Sequence, residues 1–61
     1  MKKIKLFRNE DGVLVIEKCG IMEEHYLTEG SFLEEVEALS KDGYFEISND
    51  VWELVSPIFR Q

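Results

Sequence analysis

Asn9-Glu10-Asp11-Gly12 separates two short runs of strand-forming residues, and no other feature constrains the fold as much. Ahead of it, residues 2–8 alternate, with Ile4 and Leu6 on one side and Lys3, Lys5 and Phe7 on the other. Behind it, Val13-Leu14-Val15-Ile16 opens a β-prone run that continues to Lys18. Gly12 is free to adopt the positive φ that a tight turn requires. The pattern predicts an antiparallel hairpin over residues 2–18.

The rest of the fold has to be assembled from few residues. A chain of 61 residues forms one domain, 1–61, and buries only about 60% of its unfolded surface. It leaves little room for an enclosed active-site cavity. Hydrophobic residues make up 44% of the chain, enough to drive folding. Cys19 is the only cysteine, so no disulfide forms within the chain. One His and one Cys do not make a structural zinc site, which takes four ligands, so neither a metal nor a cofactor is expected. Oligomerisation is the remaining way to stabilise so small a core, and a homodimer is expected.

Cys19-Gly20 interrupts the strand pattern as a turn or bulge, with Cys19 expected to be a buried small hydrophobe. Residues 21–28 then place Ile21, Glu23, His25 and Leu27 on one side, and Met22, Glu24, Tyr26 and Thr28 on the other. Neither side is cleanly apolar, which suits an edge strand carrying lateral charges. Ser31 and Glu34 fit a capping box at the start of a helix over residues 32–41. Phe32, Val36 and Leu39 form its buried stripe with Leu33 on the flank, and Gly43 suits the left-handed position after its last turn.

The last segment has two readings. Asp50 could cap a short helix running to Ser56-Pro57. Alternatively, residues 44–55 form a second hairpin turning at Asn49-Asp50, with Phe45 facing Leu54, Ile47 facing Trp52 and Glu46 facing Glu53. Clean alternation favours the hairpin. The expected fold is therefore α+β: a small antiparallel sheet of about four to five short strands, hairpins 2–18 and 44–55, with one helix (32–41) packed across it.

Charge narrows the function. Residues 1–8 carry Lys2, Lys3, Lys5 and Arg8 and no acid, whereas residues 9–53 carry all 13 acids against Lys18 and Lys41, a net −11. Such a segment repels nucleic acid and anionic membranes and attracts basic surfaces. Direct nucleic-acid binding is therefore not expected. The longest apolar run, residues 13–16, is far below the roughly 20 residues of a membrane span. Lys5 and Arg8 interrupt any signal-like stretch behind Met1-Lys2-Lys3, so a cytoplasmic location is expected.

Catalysis finds little support. His25 beside Glu23 and Glu24 reads as a surface histidine on an edge strand, since acid–base work needs a pocket to hold the substrate. Glu34-Glu35 lacks the spacing of a calcium loop and suits the first turn of a helix. The acids as a set carry more meaning. Alternate strand residues lie about 6.6 Å apart and helical neighbours about 5–6 Å. Phosphates two steps apart on one DNA strand rise about 6.8 Å. Glu34, Glu35, Glu37, Glu46 and Glu53 are accordingly expected to form one negative, partner-binding surface.

The chain resembles the very short acidic inhibitors of bacteriophages, especially the small uracil-DNA glycosylase inhibitors. The likeness covers the hairpin of residues 6–16 around Asn9-Glu10-Asp11-Gly12, and Gly30-Ser31 opening a helix with Phe32 and Glu35 ahead of a last β segment. It implies a dimer whose acids imitate DNA phosphates while an apolar groove grips a protruding side chain of the enzyme. Glu34, Glu35 and Glu37 would be the mimic. Residues 21–29 depart from the family as a longer segment between hairpin and helix. Anti-restriction and anti-CRISPR proteins share this size and charge. The expected function is a non-enzymatic inhibitor blocking a basic DNA- or RNA-binding surface. The alternative is a small assembly protein that self-associates through apolar surface.

Overall fold

A computed structural model describes residues 2–46 and 50–60. Strands β1 (Lys3–Arg8) and β2 (Leu14–Lys18) pair antiparallel, with Leu6 opposite Ile16 and Phe7 opposite Val15. Their turn is fastened by Asn9, whose Oδ1 accepts from the backbone N–H of Asp11 (2.9 Å) and Val13 (3.0 Å). Gly12 sits at φ +79°, as its position in the turn requires.

At Cys19 the expectation fails. Cys19 (φ +55°) and Gly20 (φ +74°) are the central residues of a turn closed by the Ile21 N–H donating to the Lys18 carbonyl at 3.1 Å. Two successive positive φ angles match the right-handed twist of the flanking strands. The turn lifts Cys19 off the sheet, and its thiol is exposed rather than buried. Strand β3 (Met22–Tyr26) follows, paired antiparallel with β2 as the sheet's edge, and His25 is exposed on it.

Helix α1 (Glu29–Lys41) buries Phe32, Val36 and Leu39 as its spacing foretells. Its start lies earlier than the capping box implied. Thr28 is the N-cap, its Oγ1 accepting from the Ser31 N–H at 3.2 Å, while the Ser31 hydroxyl donates back to the Thr28 carbonyl at 3.1 Å. Ser31 already lies inside the helix and no longer caps it. Thr28→Ala should therefore cost about 1 kcal/mol in urea unfolding. Ser31→Ala should cost less, and the reverse order would refute this assignment.

The helix ends in a pair of bonds that fold the chain back. The Gly43 N–H donates to the Ser40 carbonyl (3.1 Å) and the Tyr44 N–H to the Leu39 carbonyl (3.0 Å), with Gly43 at φ +93°. Lys2 Nζ donates to the Asp42 carbonyl at 2.8 Å and lies 5.4 Å from the centre of the Tyr44 ring, tying the first strand to this helix end. Strand β4 (Phe45–Glu46) then lies parallel to β1, with Phe45 opposite Lys3 and Glu46 opposite Ile4, giving the order β3-β2-β1-β4.

The second hairpin is overturned. Residues 52–59 form helix α2 (Trp52–Phe59), so a three-stranded antiparallel meander, extended by the short parallel β4, carries two helices rather than one. The proposed facing of Ile47 with Trp52 and the turn at Asn49 fall on residues 47–49, outside the described residues. The physical reason lies in what each form covers. A strand would turn Trp52 and Leu54 inward and leave Val51 and Val55 on the opposite face. The helix buries Val51 and Val55 and packs Trp52, Leu54, Ile58 and Phe59 against the core.

The core lies between one face of the sheet (Ile4, Leu6, Leu14, Ile16) and the two helices (Phe32, Val36, Leu39, Val51, Val55). Tyr26 meets Phe32 edge-on, ring centres 6.0 Å apart. No polar side chain is buried among the described residues. Val15 is fully buried on the opposite face, where its row is completed by Phe7 and His25.

Candidate docking groove

Leu33 flanks the buried stripe of α1, and Leu54 and Ile58 do the same on α2. Where the helices meet, these three with Pro57 and Gly30 line an open groove of about 370 Å³, and Glu34 and Glu37 border it. Each groove residue follows from helical geometry. Gly30 stands three and four positions before Leu33 and Glu34, which stand four and three before Glu37, so all four share one side of α1, as Leu54 and Ile58 share one side of α2. Glu53 lies one turn before Pro57 on the exposed side of α2. The arrangement is an apolar trough between helices with carboxylates along its rim.

The expected acids are thus partly brought together. Glu34 and Glu37 sit one turn apart at the groove, whereas Glu53 lies on the exposed side of α2 at a second depression that it shares with Arg8, Asp50 and Trp52. With α2 a helix, the Glu46–Glu53 facing disappears. Glu46 belongs to β4 at the sheet edge, and its side chain lies outside the described residues. Glu35 turns to the other flank of α1, 4.0 Å from Lys18 Nζ, which also lies 3.4 Å from Glu24. Lys41 approaches Glu37 at 3.8 Å with both side chains mostly exposed, an i,i+4 pair worth about 0.3–0.5 kcal/mol that leaves Glu37 available to a partner.

Sequence reasoning missed the apolar floor contributed by α2. A signal for it was present, because Val51, Val55 and Ile58 recur at helical spacing. The same stretch also alternates, and alternation prevailed.

Tyr26 closes the far side of the core beside the Lys18 cluster. Burial first, then the negative charges of Glu24 and Glu35, raises its phenol above the ordinary 10.0. The folded protein therefore keeps this proton at a pH where the unfolded chain has lost it. The resulting stability is intact below about pH 10 and is lost as pH rises through the folded value. Tyr26→Phe should flatten this alkaline decline in urea unfolding followed from about pH 8 to about pH 11. An unchanged decline would refute the linkage.

Among the described residues, no three or more His, Cys, Asp or Glu side chains converge as a metal site, and no helix is long and apolar enough to cross a membrane. His25 lies exposed on the open face of the sheet, beside a shallow depression shared with Phe7, Glu10 and Glu23. The described architecture is of the α+β class. Comparison with protein-family models, with curated proteins and with solved structures finds no match to this chain.

Proposed function

We propose that this protein is a non-enzymatic, cytoplasmic binding module of the phage-inhibitor type, which occupies a basic nucleic-acid-binding surface of another protein and so blocks it. The observation that carries this reading is the groove: the half-buried apolar side chains of Leu33, Leu54 and Ile58, with exposed Pro57, bordered by Glu34 and Glu37. Charge at a rim accelerates and steers encounter, while apolar side chains seated in a trough slow dissociation. Glu34 and Glu37, about 5–6 Å apart at Cβ, set two negative charges side by side as a nucleic-acid backbone does. Glu53 on α2, with Glu35 and Glu46, contributes to the general negative field. The resemblance to uracil-DNA glycosylase inhibitors suggests the kind of partner, an enzyme whose DNA groove is lined by Lys and Arg.

The test presents the immobilised protein, at low salt, to purified uracil-DNA glycosylase, a restriction endonuclease and a CRISPR effector nuclease. At least one should be retained, lose activity, and be released by duplex DNA or RNA. Retention of none, or retention indifferent to nucleic acid, would overturn the proposal. An assembly role would then take its place.

A further inference from the structure

Three of the large hydrophobic residues most exposed in the described structure border one element. Ile21 (84% exposed), Met22 (58%) and Leu27 (91%) lie on or beside the edge strand β3. Among the described residues β3 is an edge strand beside β2, and it presents a row of backbone N–H and C=O groups to solvent along residues 22–26. Its acids, Glu23 and Glu24, would ordinarily guard such an edge. Two features undo that protection for one particular partner.

From the self-complementarity of this edge we infer that β3 pairs antiparallel with β3 of a second copy, about a two-fold axis through Glu24. In that register Ile21 faces the second copy's Leu27, Met22 faces its Tyr26, and Glu23 faces its His25. Apolar residues meet apolar or aromatic ones, and a carboxylate meets an imidazole N–H, the kinds of cross-strand pair that stabilise sheets. The one like-charge meeting is Glu24 with its own copy, and Lys18, 3.4 Å away in each chain, offsets it. Sliding by two residues destroys the match. Centring on Glu23 opposes two acids on the open face, where Glu17 already stands opposite Glu23, and centring on His25 sets Glu23 against Leu27. A two-fold axis requires such self-complementarity, and here one register supplies it.

The axis also decides the assembly. Each residue meets one of the same parity, so both copies keep Tyr26 on the helix side and His25 on the open side. Both helical layers then cover the same face of one continuous sheet, and the two α1–α2 grooves remain free. This pairing is independent of what the groove binds. It also uses residues 21–29, the segment by which the chain departs from the inhibitors it resembles.

Sedimentation equilibrium over micromolar concentrations tests the pairing. The protein should populate a species of twice 7.2 kDa. Ile21→Lys with Leu27→Lys, both at exposed positions, should return it to monomer with an unchanged circular dichroism spectrum. Ile21→Lys with Leu27→Glu should restore the dimer, since each Lys then faces a Glu. The register is read by cross-linking in a Cys19→Ser background. Directly opposed strand residues lie about 4.5–5.5 Å apart at Cα, within disulfide reach. Glu24→Cys should therefore oxidise to a covalent dimer much faster than Glu23→Cys. A 7.2 kDa species at every concentration, a dimer indifferent to the paired lysines, or faster cross-linking through position 23 would each overturn the inference.

Discussion

Phe32→Ala is expected to remove a large part of the folding stability and to move urea unfolding to much lower denaturant. Phe32 is fully buried near the start of α1, edge-on to Tyr26 and in one core with side chains of the first hairpin and the α2 segment. Removing an enclosed Phe side chain costs about 3–5 kcal/mol, because the transfer loss is joined by a cavity that cannot fully collapse. A chain of 61 residues has a total stability of roughly 3–9 kcal/mol at about 0.05–0.15 kcal/mol per residue. One substitution therefore removes a large part of the whole. Urea unfolding followed by circular dichroism should show the native baseline shortened or gone. Leu27→Ala, at a position 91% exposed, should leave the monomer's stability nearly unchanged. A loss below about 1 kcal/mol for Phe32→Ala would mean that this core is not organised as described.

Reversing Glu34 and Glu37 to Lys together should slow association with the partner enzyme proposed above by about tenfold or more at low salt, with a smaller change in dissociation. Both positions are exposed on α1, so the fold survives the change; loss of the Glu37–Lys41 pair costs only a few tenths of a kcal/mol. The rate should also become less dependent on salt, because fewer long-range attractions remain for ions to screen. Leu54→Ala or Ile58→Ala should act on dissociation instead, since these side chains form the trough rather than the field. Stopped-flow association measured at several salt concentrations separates the two effects. An unchanged association rate in the double reversal would reduce these acids to a solvated face.

Much of the fold was legible because its signals are local. The alternation of Ile4 and Leu6 against Lys3 and Lys5, the turn residues Asn9 and Gly12, and the spacing of Phe32, Val36 and Leu39 each act within one element. The strand and the helix have their expected sides buried in the structure, and the turn falls at residues 9–12. Glu34 and Glu37 could be named as a pair from helical spacing alone. Thr28 was passed over as the cap because Ser31 satisfies the same rule three residues later, and both hydroxyls do take part in bonds at that helix start.

Tertiary packing decided the rest. Residues 51–55 suit a strand and a helix almost equally by pattern, and only the presence of a core with room for Val51 and Val55 selects the helix. The apolar groove could not be read from either helix alone, because half of its lining comes from each. Cys19 owes its exposure to the place where β2 and β3 must turn, a matter of register between strands. The sequence by itself determined which residues prefer to be buried and where the chain can bend. Which apolar stretch covers which depends on contacts between residues far apart in the chain, and local preference carries no information about those.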